Sequence, residues 1–188
     1  MESFEAREHL DIVERILART DQAPGISPFP FVVWGIAAAV MNVVMQLVVT
    51  QKAPAPLLFV GAAALLVAII LMVFWVRRLR GAERRTLIDR QMFIAFNIAW
   101  IVAFVAQVGA FHIFAQWAQA AIWSVMYGAA LIFAGTLVRN RVVLAGGIAL
   151  LLSIVVANFA LSYAGFVLAL GDLVGLAGTG AMLYAARR

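Results

Sequence analysis

The sequence contains no cysteine and few charged residues. The absence of cysteine excludes disulfides, thiol catalysis and cysteine-ligated metals. Charged residues make up 12% of the 188 residues and hydrophobic residues 65%, which leaves too little polar surface to cover a soluble domain of this size. Strand-like alternation of polar and apolar residues is also absent, which argues against a membrane barrel. With its apolar runs of about twenty residues, the chain is predicted to be an all-α polytopic membrane protein.

The common catalytic motifs are absent as well. The sequence has no Gly-x-Ser-x-Gly, no P-loop and no Gly-x-Gly-x-x-Gly. Its two histidines, His9 and His112, fall on opposite sides of the predicted membrane, and no cluster of ligands accompanies either. We therefore predict no metal site and no cofactor, and the net charge of +5 is placed at span ends, which does not favour a nucleic-acid partner.

One short stretch has an enzymatic counterpart. Residues 169–172, Ala-Leu-Gly-Asp, resemble the GxGD motif of intramembrane aspartyl proteases, with alanine in place of the first glycine. The resemblance implies a catalytic role for Asp172. That chemistry needs two carboxylates that share a proton. The other candidate, Asp89, is predicted at the cytoplasmic membrane surface, whereas Asp172 lies fifteen residues from Arg187, about 20 Å above that surface. We therefore predict that the protein is not an enzyme.

Six apolar runs follow a basic-residue pattern that sets their orientation. Arg77–Arg90 holds six of the fourteen basic residues. With both termini cytoplasmic, thirteen basic residues lie inside and Lys52 alone lies outside, as the positive-inside rule requires. We predict a multi-pass inner-membrane domain, residues 30–188, of three outward-pointing hairpins, and no proline interrupts its spans. The predicted spans are 30–50, 57–76, 92–114, 118–138, 142–162 and 165–185.

The N-terminal residues 1–22 are predicted to form a cytoplasmic amphipathic helix, joined to the spans by a Pro/Gly linker at 23–29. They lack an apolar core, so we expect no cleavable signal peptide. The helix carries more acid than base, which is unusual for a helix that lies on anionic lipid. We expect its apolar stripe to dock on protein, either on a partner or on this chain's own cytoplasmic loops, with a short interfacial helix that leads into the membrane as the alternative. The expected docking residues are Leu10, Val13, Leu17, Arg84 and Arg85.

Asp172 is the one ionisable residue deep within an apolar run. A charged aspartate near mid-membrane costs about 3 kcal/mol, so it is expected to face the protein interior and find partners, or to stay protonated. Amides in the outer half of the spans and aromatic residues at helical spacing fall at a similar depth. If their faces converge, they form an outward-facing polar and aromatic pocket. The candidate ligand- or ion-binding residues are Asp172, Asn42, Gln46, Gln107, Asn158, Trp100, Trp123 and Tyr127.

Small residues mark a helix-packing face on the last two spans. Their spacing of four lets helix backbones approach closely, and residues 171–175 form a GxxxG. We expect these residues to pack the helices within one chain, with a homo-oligomer interface as the alternative. The stripe contains Ala145, Ala149, Ser153 and Ala157 on one span and Gly171 and Gly175 on the next.

Two functions are compatible with this pattern. In the first, the protein binds or translocates a small molecule through the pocket around Asp172, and a cationic or amphiphilic molecule would suit an acid with aromatic walls. In the second, it is a non-transporting accessory or regulatory membrane protein that docks a partner through residues 2–20. The amides and the aspartate would then be structural hydrogen-bonding groups between helices.

Overall fold

The computed structural model describes residues 27–80, 94, 98, 100–106 and 116–186. Within these ranges the chain is helical and has no β-strand, which confirms the predicted all-α class. Five helices there are long and apolar enough to cross a membrane. Part of the third predicted span is helical, and the rest of it lies outside the described residues, as does the predicted N-terminal helix. Five of the six predicted spans therefore correspond to a helix of sufficient length, and the total of six stays a prediction.

The first four helices form two hairpins. Helix α1 spans Phe29–Val49, and a short 3-10 turn, Ala55–Leu57, leads into helix α2, Leu58–Arg80. Helix α3, Gln116–Leu137, is followed after a three-residue turn by helix α4, Arg141–Phe159. Helix α2 continues past its predicted end because arginine is a good helix former, and its apolar stem can lie along the helix while the charge reaches the surface.

The last helical run is continuous but not uniformly wound. It follows a 3-10 turn, Leu161–Tyr163, and consists of helix α5, Ala164–Asp172, a π-helical segment, Leu173–Gly178, and helix α6, Thr179–Ala185. We call residues 164–185 the C-terminal helix. The absence of proline predicted no broken helix of the transporter kind, and this run is continuous, although part of it has π rather than α winding. A run with several glycines offers little side-chain resistance to a change of winding.

The C-terminal helix lies at the centre of the described bundle. Helix α1 packs along one side of it and α4 along another, while α2 packs on α1 and α3 packs on α4. Half of the residues in its 18-residue apolar stretch are buried inside the protein, compared with 11% for α2. Residues on the C-terminal helix are therefore shielded from lipid by helices on either side.

Glycines make these close contacts possible. A Cβ added at Gly35 of α1 would collide with the backbone at Ala177, and one at Gly180 would collide with Val32. On the other side, a Cβ at Gly171 would meet the Ser153 side chain. The C-terminal helix is thus held against both neighbours at a distance that only small residues allow.

The packing face of α4 differs in part from the predicted stripe. Ser153 and Ala157 are buried on it, but Ala149 is half-buried and Ala145 is exposed. Gly146 and Leu150 contact Gly175 instead. A stripe at steps of four drifts around a helix of 3.6 residues per turn, so the buried face alternates steps of four and three. Gly171 and Gly175 are both buried, as the intramolecular packing prediction expects.

Basic residues gather at one end of the bundle. Arg77 and Arg78 end α2, beside the start of α1, where Phe29 stacks on Trp75 at 6.2 Å. Arg139 lies in the turn between α3 and α4, and Arg141 begins α4. Both are at that same end because the start of α4 contacts the end of the C-terminal helix. Lys52 lies in the turn at the opposite end. The charge asymmetry predicted along the sequence is therefore an asymmetry between the two ends of the fold.

Candidate functional site

Asp172 is held between α1 and the C-terminal helix. It is 3% exposed, and its Oδ2 accepts a hydrogen bond of 2.8 Å from Nδ2 of Asn42. Gly35, two turns before Asn42 on the same face of α1, lies against the backbone of Asp172 and Ala177. Because Gly35 has no side chain, α1 comes close enough to the C-terminal helix for the short side chain of Asn42 to reach the carboxyl group.

The second oxygen of the Asp172 carboxyl group has a different environment. Within the described part of the chain, the Asn42 amide is the one group that donates a hydrogen bond to Asp172. No fully buried side-chain oxygen or nitrogen among the described residues lacks a hydrogen-bond partner. The other carboxyl oxygen receives no hydrogen bond from a described residue.

Aromatic rings lead away from Asp172. The Asp172 carboxyl group lies close enough to Tyr127 of α3 for the two to interact electrostatically. Tyr127 stacks on Trp123 with centroids 6.2 Å apart, Trp123 meets Trp100 edge to face at 6.1 Å, and Trp100 stacks on Phe104 at 5.6 Å. We call Tyr127, Trp123, Trp100 and Phe104 the aromatic row. It joins the third predicted span to α3 and runs toward the carboxyl group.

Gln46, one turn from Asn42, has a separate role. Its Nε2 donates to the carbonyl oxygen of Ser162 at 2.9 Å, and its Oε1 accepts from the backbone N–H of Gly165 at 2.7 Å. It is 1% exposed. Both polar atoms of the amide are thus used to fix the start of the C-terminal helix against α1. Gln46 supports the site rather than lining it.

The structure brings together some of the predicted site residues and separates others. Asn42 is hydrogen-bonded to Asp172, and Trp100, Trp123 and Tyr127 form a series of ring contacts. Tyr127 lies within electrostatic range of Asp172. Asn158 does not join these residues, because its side chain lies on the exposed face of α4. The remaining predicted residues lie outside the described ranges, and their roles stay predictions: Gln107, Leu10, Val13, Leu17, Arg84 and Arg85.

Two cavities in the described part of the chain lie at the ends of the bundle. One, of about 430 Å³, is lined by Val48 and residues 51–55 in the turn that contains Lys52. The other, of about 240 Å³, lies at the turn between α3 and α4. Neither is lined by Asp172. The predicted outward-facing opening therefore stays a prediction.

Two contributors to the site were not singled out from the sequence. Gly35 precedes Asn42 by seven residues, a spacing that places both on one helix face, and this spacing was the available signal. The π segment begins directly after Asp172, and nothing in its sequence distinguishes it from other glycine-containing membrane helices. π-helical turns are rare and are frequently found at functional sites.

No group of three metal-binding side chains occurs among the residues the structure describes. Comparison with known protein families, curated proteins and solved structures finds no match to this chain. Five long apolar helices with a mostly apolar exterior fit a multi-pass membrane protein in contact with lipid. The most distinctive chemistry within that fold is the Asn42–Asp172 pair at the end of an aromatic row.

Proposed function

We propose that the chain is an inner-membrane protein with six spans in three outward-pointing hairpins and with both termini in the cytoplasm. The placement of Arg77, Arg78, Arg139 and Arg141 at one end of the bundle and Lys52 at the other supports this orientation. Asp172 then lies in the outer half of the membrane. Its partner Asn42 is seven residues from the outer end of α1, or about 10 Å below that surface at 1.5 Å per residue.

We further propose that the protein binds or translocates a small cationic or amphiphilic molecule at Asp172. The observation that carries this proposal is a buried carboxyl group with one hydrogen-bond donor within the described chain. A charged aspartate at this depth costs about 3 kcal/mol. A hydrogen bond between membrane helices contributes about 0.6 kcal/mol on average, so the Asn42 amide offsets only part of that cost. A bound cation at the second oxygen would supply the remainder.

The π segment gives the site a means of access. Asp172 is closely surrounded, so a ligand reaches it only when the neighbouring helices shift. The π segment starts at Leu173 and extends to Gly178, directly beside the contact with Gly35. A change in the winding of this segment would rotate or translate Asp172 relative to Asn42. We infer that this local rearrangement opens the site.

Ligand-dependent thermal stabilisation tests the proposal. Tetraphenylphosphonium is a suitable probe, because tetraphenylborate has nearly the same shape and the opposite charge. At one hundred times the dissociation constant, a ligand that binds only the folded state adds about 2.7 kcal/mol to the free energy of unfolding. We expect tetraphenylphosphonium to raise the Tm of the native protein, and tetraphenylborate to leave it unchanged.

Two variants separate binding from structure. Asp172→Asn removes the charge but leaves a side chain that can bond to Asn42, so it should fold and lose the response to tetraphenylphosphonium. The exchange variant, Asn42→Asp with Asp172→Asn, keeps one carboxyl group and one amide in the same contact and should keep part of the response. An equal response in the native protein and in Asp172→Asn would refute the proposed site.

A further inference from the structure

The aromatic row has a gradient of burial that ends at Asp172. Phe104 is 49% exposed and Trp100 is 39% exposed, whereas Trp123 and Tyr127 are half-buried and Asp172 is 3% exposed. Successive rings lie 5.6–6.2 Å apart, within the range of favourable aromatic contact. The row is therefore a continuous series of π surfaces from the exterior of the bundle to Tyr127, which lies within electrostatic range of the buried carboxyl group.

The exterior end of the row lies among apolar side chains. Ile101 and Val105, which flank it on the third predicted span, are 55% and 61% exposed. Such a surface within a membrane span faces lipid rather than water. The cavities at the turns lie elsewhere, at the two ends of the bundle. The exterior end of the row thus meets the hydrocarbon region of the proposed membrane domain.

A path with these properties selects among cations. Aromatic faces attract a cation by about 2 kcal/mol or more when both partners are desolvated. A small hydrated ion loses its water on entering such a path, and rings compensate for that loss poorly compared with oxygen ligands. A cation that carries hydrophobic or aromatic groups already partitions into the bilayer and gains contact area with the rings. The row therefore fits a lipophilic cation.

We propose that the aromatic row is the binding wall that sets the ligand class of the Asp172 site, and that this class is lipophilic cations that partition into the membrane. The inference rests on the proposed function, because it takes Asp172 as the charged end of the site. It goes further by assigning specificity to Trp100 and Trp123. In the bound state, the positive centre lies near Tyr127 and Asp172, and the hydrophobic groups of the ligand lie on the two indole rings.

The test compares two cations on matched tryptophan variants. Trp123→Leu and Trp100→Leu remove a ring from the row and keep an apolar side chain. Trp75→Leu is the matched control, since Trp75 stacks on Phe29 at the far end of the bundle. Dissociation constants are measured by equilibrium dialysis for tetraphenylphosphonium and for tetramethylammonium, with the fold of each variant checked by circular dichroism and by its Tm without ligand.

The native protein should bind tetraphenylphosphonium at least about tenfold more tightly than tetramethylammonium, as desolvated cation–π contacts predict. Each variant of the row should weaken tetraphenylphosphonium binding by about tenfold, while Trp75→Leu leaves it within about twofold. Trp100 is partly exposed, so Trp100→Leu keeps the test decisive if Trp123→Leu fails to fold. Loss of binding in Asp172→Asn, together with native affinity in both variants of the row, would overturn this inference and leave the proposed function standing. Native affinity in Asp172→Asn would overturn both.

Discussion

Replacing Asp172 by asparagine should make the protein more stable, and replacing Asn42 by alanine should make it less stable. The two side chains share one hydrogen bond of 2.8 Å, so a purely structural pair would lose similar stability whichever partner is removed. A buried carboxyl group with incomplete compensation behaves differently. Removing its charge relieves a cost, whereas removing its donor increases that cost.

The magnitudes follow from the contacts. The charge costs about 3 kcal/mol, and a typical hydrogen bond between membrane helices offsets about 0.6 kcal/mol of this. Asp172→Asn removes an uncompensated cost of about 2 kcal/mol but leaves a buried amide, which costs about 1 kcal/mol even though it can still bond to Asn42. We therefore expect a net gain of about 1 kcal/mol in the free energy of unfolding. Asn42→Ala leaves the carboxyl group without that donor, and we expect a loss of about 2 kcal/mol. In the Asp172→Asn background, Asn42→Ala should cost about 1 kcal/mol less.

The assay is reversible unfolding in mixed detergent micelles, followed by far-ultraviolet circular dichroism for the native protein, both single variants and the double variant. The coupling energy is the difference between the double variant and the sum of the singles. If Asp172→Asn destabilised the protein by as much as Asn42→Ala, the carboxyl group would be a structural hydrogen-bond acceptor. That result would refute the proposal that its negative charge is only partly compensated.

Three further predictions concern the framework around the site, each measured as the free energy of unfolding in the same assay. Gly171→Ala places a methyl group against the Ser153 side chain and should cost about 2 kcal/mol. Gly178→Ala is the control: the nearest contact of its added Cβ is one backbone oxygen at 3.3 Å, so its stability should be within about 0.5 kcal/mol of native. Equal effects of the two alanines would contradict the close approach of α4 and the C-terminal helix. Gln46→Leu removes two hydrogen bonds to the backbone and should cost about 2 kcal/mol. An unchanged stability would contradict the role of Gln46 in fixing the start of the C-terminal helix. Asn140→Ala removes the side chain that caps α4 through two backbone N–H groups and should cost about 1 kcal/mol, while Asn140→Asp should cost little; an alanine variant as stable as the aspartate variant would rule out the cap.

The helical class and the burial of Asp172 beside a polar partner could be predicted from the sequence because both depend on strong local signals. Long apolar runs have few alternatives to membrane helices, and a lone carboxyl group in such a run must find a partner. Depth along the span then identified Asn42 as a neighbour. Trp123 and Tyr127 were placed on one face by their spacing of four, and they stack as that spacing requires.

Rotation of each helix about its axis could not be predicted in the same way. Membrane helices are apolar on every side, so no contrast marks the inward face, and a rotation of 100° per residue separates neighbouring positions. For this reason Asn158 was expected at the site and lies on the exposed face of α4, and Ala149 was expected on a packing face whose contacts are made by Gly146 and Leu150. The partners of Gln46 are backbone groups, which the side-chain pattern does not reveal.

Chemical protection of the Asp172 carboxyl group is the most direct test of cation binding there. A lipid-soluble carbodiimide reacts with carboxyl groups that it reaches from the bilayer, and Asp172 is the one acidic residue in the described part of the chain. Mass spectrometry of the native protein in vesicles, with and without tetraphenylphosphonium, measures the extent of reaction at Asp172. If the cation binds at Asp172, it reduces this reaction in proportion to its occupancy of the site, and tetraphenylborate does not. Unchanged reaction at Asp172 under saturating tetraphenylphosphonium would contradict cation binding there.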